Sequence, residues 1–492
     1  MQKGSTMRNL GLAKTACIIF LFCSATAMPS PAQTFTTLAT FDGTDGATPY
    51  DSLVQGLNGN FYGTTYSYSG GGTSEHGTVF KITPAGKLTT LYDFCSQTNC
   101  TDGEYPNAGL VLASNGKFYG TTTAGGANNF GTVFEITSAG ELTTLYSFCS
   151  QTNCTDGEEP YATLVRATNG NLYGTTEYGG ANSSGTVFEI TPAGKLTTLY
   201  SFCPQPNCTD GYYPVAALVQ ATNGNFYGTT PDGGASGSGT VFEITPAGKL
   251  TTLYSFCSKT DCADGEYPVA GLVQTTNGNL YGTTEVGGAN YEGTVFEITP
   301  AGKLTTLYSF CSQTNCTDGS EPMSGLTQAT NGNLYGTTSN GGAANGNGTI
   351  FEITPAGSLT TLYTFSCSET SCADGDTPFA GLVQATNGNF YGTTSSGGVN
   401  LGYGTVFSLS VGLGPFVETL PTSGKVGAAV KIFGTHLTGA TSVDFNGTAG
   451  TFTVVSSTEI TTTVPIGAAT GTVEVTTPSG TLNSNVVFRV KP

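Results

Sequence analysis

The residues of this chain best suited to chemistry recur in one phrase. FCSQTNCTDG stands letter for letter at Phe94–Gly103, Phe148–Gly157 and Phe310–Gly319, with near-copies at Phe202–Gly211 and Phe256–Gly265 and a looser one at Phe365–Gly375. Two cysteines with four residues between them, followed by Asp-Gly, could ligate a metal, cycle between redox states or staple a loop. Zinc needs four ligands, usually cysteine with histidine, yet each copy brings two cysteines, and the two histidines, His76 and His436, lie outside the copies. A redox centre would favour Cys-x-x-Cys, and six copies of a catalytic centre have no rationale. Twelve cysteines in evenly spaced pairs predict disulfides Cys95–Cys100, Cys149–Cys154, Cys203–Cys208, Cys257–Cys262, Cys311–Cys316 and Cys367–Cys372. Each short closed loop contributes about 2 kcal/mol in the chain-entropy account.

The recurrent aspartates, Asp45, Asp102, Asp156, Asp210, Asp264, Asp318 and Asp374, have two readings. As a set they are weak candidates for Ca²⁺, a hard cation that prefers oxygen ligands. Asp before Gly is also an ordinary turn choice, and the dense D-x-D-x-D-G loop is missing, so turn chemistry is favoured. No other cofactor is expected. A single active site would show as a unique break in the repeat, and none stands out. His76 beside Glu75 reads as an exposed loop histidine. A copper oxidase would need a second histidine near it, and a sialidase-type site would carry Trp in its Asp boxes, but the chain has no Trp. Glu158 and Glu159 are adjacent, so on a strand they point apart.

Before any of this comes a targeting segment. Lys3, Arg8 and Lys14 precede the apolar stretch 16–27, and Ser30-Pro31-Ala32 supplies a small-x-small cleavage site. Residues 1–32 read as a secretory signal peptide. A lipoprotein role for Cys23 is disfavoured by the bulky Phe22 before it. Removing the segment takes away Cys17, Cys23 and three bases, leaving 33 acidic against 12 basic residues, a net charge of −21. Such a surface repels nucleic acid and anionic lipid. No later run is long enough to span a bilayer. The expected location is outside the cell, at its surface or in the periplasm, and the expected state is a monomer.

The elements that must position these residues repeat too. YGTT begins at Tyr62, Tyr119, Tyr173, Tyr227, Tyr281, Tyr335 and Tyr391; GTVF or GTIF begins at Gly77, Gly131, Gly185, Gly239, Gly293, Gly348 and Gly404. The commonest spacing is 54 residues, and the count is seven. Each unit holds two hairpins, one around Asn-Gly-Asn and one around Pro-Ala-Gly. In the last strand, Leu196, Thr198, Tyr200 and Phe202 should face one way and Thr197, Leu199 and Ser201 the other. Four antiparallel strands per unit predict an all-β seven-bladed propeller, with an open β-solenoid as the rival. A lone strand at Thr34–Phe41 and an incomplete last unit at Gly404–Ser410 predict that the N-terminal strand closes blade seven. The two kinds of turn then share one face. The Gly-Gly loops and stapled connections share the other.

Residues 33–411 form the expected propeller, 412–414 a linker, and 415–492 a second domain. In that domain seven short strands with alternating apolar positions predict an immunoglobulin-like sandwich. The spacing of Pro421, Gly424, Gly427, Val430, Ile432, Gly434, Leu437, Gly439, Val443, Phe445 and Gly447, then Val464-Pro465 and Gly467, closely resembles the IPT/TIG family. The resemblance implies a binding or spacer module with no catalytic residues. The repeat itself, NGNFYGTT through GTVFEITPAGKLTTLYSF to the Asp-Gly and proline, resembles the GloVer tandem repeat of exported bacterial proteins, whose chains often carry a C-terminal surface anchor. This sequence ends instead in the IPT/TIG-like module.

The functional expectation is an exported, non-catalytic recognition or scaffold protein that binds a glycan or protein ligand through its loops. Tyr178, Tyr212, Tyr213, Tyr267 and Tyr291 are the candidate ligand-binding residues, with Tyr105 and Tyr161 in the same loops, because aromatic faces stack on sugar C–H patches. The alternatives are an enzyme acting on extracellular polysaccharide, with acids from those loops, and a purely structural surface protein.

Overall fold

The computed structural model describes residues 33–66, 75–342, 346–367, 372–399 and 402–492. The proposed signal peptide lies outside them. Among the described residues the repeat folds into seven four-stranded antiparallel sheets, here called blades. Blade 1 runs outward through Val54–Gln55, Phe61–Thr65, Thr78–Ile82 and Leu88–Asp93, and the next five repeat that order. Blade 7 takes its outer strand from the start of the chain: Thr34–Thr40 pairs antiparallel with Thr405–Ser410, from Thr34 opposite Ser410 to Thr40 opposite Thr405.

Further bonds close the ring across this seam. The first threonine of each YGTT turns away from its own sheet and donates to a carbonyl of the following blade, as Thr229 does to Ala270 at 3.0 Å. Thr393 of blade 7 donates to Pro49 of blade 1, and the Thr386 amide donates to Gln55 Oε1 at 2.9 Å. The second threonine is buried against the threonine of GTVF; Thr176 and Thr186 join their hydroxyls at 2.8 Å. The glycine of YGTT is there because a Cβ on Gly174 would sit 2.7 Å from the Phe188 ring. Tyr173 is buried, and its hydroxyl bonds Glu189 Oε1 at 2.8 Å, so these tyrosines serve the frame.

The outer strands depart from simple alternation. Thr198 opposes Phe188 and Tyr200 opposes Val187, which leaves Leu199 as an extra residue in a β-bulge. The bulge re-aims the strand, and the Leu199 carbonyl then lies 2.5 Å from where a Cβ on Gly248 of the next blade would stand. That approach explains the glycine of Pro-Ala-Gly, and the expected two-sided pattern holds only up to Thr198.

The C-terminal segment forms a two-sheet β-sandwich. One sheet joins Glu418–Leu420, Ala429–Phe433, Glu459–Thr463 and Phe452–Val454. The other joins Thr448–Ala449, Ser442–Phe445, Val473–Thr477 and Gly480–Asn483. Val430, Ile432, Val443, Phe445, Ile460, Val473 and Val475 fill the space between them.

Candidate ligand-binding face

The stapled connections are built around their aspartates. All six cysteine pairs are disulfides in the expected pairing. Asp102 is buried and accepts from Tyr92 Oη at 2.8 Å, from the Ser96 amide and hydroxyl at 3.0 Å and from the Gln97 amide at 3.2 Å. Asp156, Asp264 and Asp318 repeat the arrangement, and Asp374 keeps the bonds from Tyr363 and Ser366. Burial pushes the Asp264 carboxyl up, but donors from Tyr254, Ser258 and Lys259 outweigh it and hold the group below its usual value. The same burial, with the Asp264 charge, pushes Tyr254 up to about 12. Asp45, in the short unstapled connection, accepts from the Asp42 amide at 3.0 Å. Asp210 differs: Pro204 stands where the sister loops have serine, and Asp210 Oδ1 is buried without a partner.

After each connection the backbone makes the same unusual turn. The residue before the proline is left-handed in all seven blades: Thr48, Tyr105, Glu159, Tyr213, Tyr267, Glu321 and Thr377 have φ between 54° and 58°. For residues other than glycine that conformation costs roughly 1–2 kcal/mol. Bonds across the blade boundary hold it; Tyr213 N–H donates to Ser184 O at 3.0 Å and Tyr267 N–H to Ser238 O at 3.1 Å. One backbone position per blade thus carries a side chain whose identity varies around the ring, on an otherwise monotonous frame. The strain is kept at a variable, half-buried or exposed position on a loop face, the kind of place where binding groups usually sit.

These side chains and their neighbours divide the loop face. Across blades 7, 1 and 2 lies an aromatic run: Phe379 to Tyr50 at 5.6 Å, Tyr50 to Tyr66 at 5.6 Å and Tyr66 to Tyr105 at 5.4 Å between ring centroids. Across blades 3 to 6 lies an acidic arc of Glu158, Glu159, Glu177, Asp232, Glu285 and Glu321. Burial raises Glu177, with the charges of Glu159 and Asp232 adding to it. Burial also raises Glu159 beside Glu158, and Glu285 beside Glu321. Among these pairs the charged neighbours are other acids.

Of the tyrosines singled out by sequence, Tyr178, Tyr212 and Tyr213 come together, with Tyr213 at 5.0 Å from Tyr178 and 4.6 Å from Tyr212. A hydrogen bond to Glu177 is the main cause that pushes Tyr178 up to about 12. Tyr267 and Tyr291 are exposed, at 39% and 58%. Tyr161 is turned inward, and burial pushes it up to about 12. Sequence reasoning weighed Glu158 and Glu159 only as an adjacent pair and Tyr105, Tyr213 and Tyr267 only as loop tyrosines. It passed over the rest of the acidic arc, Tyr50, Tyr66 and the shared backbone conformation of the pre-proline column. The signal was available in that column, where threonine, tyrosine and glutamate interchange beside a proline that never does.

The face is a platform with a narrow centre. Asp51 Oδ2 of blade 1 accepts from the Gly109 amide of blade 2 at 2.8 Å and from the Thr163 hydroxyl of blade 3. A Cβ on Gly109 would lie 2.9 Å from Ser52 O, and one on Gly271 3.0 Å from Ala217 O. The opposite, turn-bearing face is occupied by the sandwich. Leu420 and Phe433 share a core with Tyr62, Leu112 and Phe118, while Arg489 Nη1 donates to Thr222 O and Lys491 Nζ to Thr168 O, both at 2.9 Å.

His76 corrects one sequence expectation. It lies outside the cysteine copies in sequence but against one in space: His76 Nδ1 is 2.9 Å from Glu104 Oε2, and ligand atoms of His76, Cys95, Cys100 and Glu104 all lie within 4.8 Å of one another.

A closed ring of four-stranded sheets with a variable loop face is a propeller-like repeat protein. The Gloeobacter/Verrucomicrobia repeat model matches residues 24–153, 150–328 and 311–484, and the chain belongs to that family. A comparison with curated proteins finds no match. Among solved structures it is similar to the extracellular domain assigned to a one-component system of Bacteroides thetaiotaomicron, at 13% identity and TM-score 0.50, covering 94% of this chain and 58% of that one. The extracellular domain assigned to a hybrid two-component system of the same organism gives 12% identity and TM-score 0.48, over 92% of this chain and 54% of that one. A chain assigned as a 6-phosphogluconolactonase from Bacteroides fragilis gives 17% and 0.41, over 76% of this chain and 90% of that one. At these identities the likeness is one of fold, and the chain spans little more than half of each Bacteroides extracellular domain. Among the described residues no helix is long and apolar enough to cross a membrane.

Proposed function

We propose that this is an exported, non-catalytic recognition protein that takes an extracellular glycan or a protein segment on its loop face. The observation that carries the reading is the left-handed pre-proline column, which presents Thr48, Tyr105, Glu159, Tyr213, Tyr267, Glu321 and Thr377 from seven equivalent, strained positions. Tyrosine rings offer stacking surfaces to sugar rings or to apolar side chains. Carboxylates accept paired hydrogen bonds from sugar hydroxyls or from basic groups. The signal peptide at 1–32, the propeller at 33–411 and an IPT/TIG-like sandwich from 415 complete the proposed layout. The disulfides and the acidic balance fit an extracellular setting. A glycan-array and peptide screen on the secreted chain, beside an assay for polysaccharide cleavage, tests the reading. Binding that weakens in Tyr178→Ala, Tyr213→Ala and Glu177→Gln, without cleavage, supports it. Cleavage abolished by Glu159→Gln or Glu177→Gln would assign the face to an enzyme. Binding that survives every face substitution and is lost with residues 415–492 would assign recognition to the sandwich.

A further inference from the structure

In blades 4 and 6 the side chain before the GTVF or GTIF glycine reaches across to the stapled connection that follows. Ser238 Oγ lies 3.4 Å from Glu266 Oε2, and Asn347 Nδ2 lies 3.0 Å from Asp376 Oδ1. In blade 1 that position is His76, so the same reach delivers an imidazole to Glu104, beside the Cys95–Cys100 pair. Sister groups at Cys149/Cys154/Glu158, Cys257/Cys262/Glu266 and Cys367/Cys372/Asp376 bring three ligand residues together. The His76 group brings four.

We propose that this first connection is a Zn²⁺ site gated by its own disulfide. While the sulfurs are bonded to each other, imidazole and carboxylate are the ligands on offer, too few for a closed tetrahedral site. A dithiol reductant breaks the one S–S bond: the sulfurs gain two electrons and two protons, and the dithiol becomes a cyclic disulfide. Zn²⁺ then displaces both thiol protons to solvent and takes two thiolates, one imidazole and one carboxylate. Metal and disulfide are alternative staples for the same loop. The three-residue groups leave a fourth position to water and hold the ion less tightly.

The test titrates Zn²⁺ into the full secreted chain, oxidised and after reduction with a phosphine, which does not compete for the metal. The reduced chain should bind one ion more tightly than any other by about tenfold or more, the scale on which loss of a supporting group weakens a metal site. His76→Ala and Glu104→Gln should each merge that site with the weaker ones, and the oxidised chain should lack it. Mass-spectrometric mapping of alkylated thiols at one equivalent of Zn²⁺ should show Cys95 and Cys100 protected ahead of the other pairs. Near-UV circular dichroism reports whether the reduced chain keeps its packing. Equal protection of all six pairs, unchanged binding in His76→Ala, or a reduced chain that unfolds and is not restored by zinc would each overturn the proposal.

Discussion

At Asp210 a single replacement leaves a buried carboxylate oxygen short of a partner. In the sister loop, Ser150 and Gln151 amides and the Ser150 hydroxyl satisfy Asp156. Pro204 has neither an amide hydrogen nor a hydroxyl to give to Oδ2, which takes the Cys203 amide beside Tyr200 instead. Oδ1, the oxygen that the Gln151 amide satisfies in the sister loop, goes unpaired. Pro204→Ser should therefore stabilise the chain by about 1 kcal/mol, the worth of a recovered buried bond less the unfolded-state entropy that proline removes, as denaturant midpoints would show. The acidic arc works in the opposite direction. Glu177 has its folded pKa raised above the 4.5 of an ordinary glutamate, chiefly by burial. As pH rises past 4.5 the unfolded chain ionises while the folded one still resists, so stability falls until the folded group has also ionised. Glu177→Gln should remove that part of the pH slope and raise the thermal midpoint at pH 7 while weakening ligand binding. A variant that loses stability at pH 7 would show the carboxylate to be structural.

Among elements, the outer strand of blade 7 has the furthest to travel. Thr34–Thr40 must find Thr405–Ser410 from the other end of the repeat, and its bulge between Thr37 and Ala39 matches those of the other outer strands. Deleting it should leave an unpaired edge and cause concentration-dependent aggregation, visible by light scattering. A deletion variant that stays monomeric and equally stable would mean that the ring does not depend on the seam. The turns beside the inner strands are less forgiving. Gly170 and Gly224 have φ of 90° and 87°, so valine there should damage folding although no atom lies within 4 Å of the added Cβ. Five blades lock their inner strands through a glutamine, as Gln220 accepts from the Thr168 amide at 2.8 Å. Leu112 and Arg166 replace it in blades 2 and 3. Leu112 lies under Leu420 and Phe433, so the repeat is broken where the sandwich docks.

For the whole molecule, that docking makes the ring one-sided. The sandwich lies against the turns of blades 1 to 4, and the loop face is the proposed binding surface. Leu420→Asp should loosen the sandwich without unfolding either part, measured as faster hydrogen exchange at Leu57, Leu112 and Phe433 with ligand binding retained. Unchanged exchange would mean that the apolar contact is not what holds the parts together. Glu418 lies on the same sheet, opposite Phe433, and burial pushes its carboxyl up to about 7. Its contribution to stability therefore declines between pH 4.5 and 7, and Glu418→Gln should flatten stability over that range.

Period, strand count and disulfide pairing were legible in the sequence because each is a local pattern repeated in register, and the seam because the array begins with a lone outer strand and ends one strand short. The 54-residue spacing sets the blade, alternation sets the strand, and cysteines with four residues between them can hardly pair elsewhere. The bulge at Leu199 was hidden because an extra residue leaves the apolar pattern almost unchanged. The left-handed column, the acidic arc and the approach of His76 to Cys95–Cys100 were hidden for a different reason. The first two join residues of neighbouring blades, at distances that depend on how one sheet leans on the next. His76 meets Cys95–Cys100 only because the bulged outer hairpin of blade 1 brings Gly77 beside Phe94. The docking of Leu420 and Phe433 on Leu57 and Leu112 spans more than 300 residues of chain. Strand periodicity tells a residue which side of its own sheet it occupies; only closure of the ring decides what lies on the far side of that space.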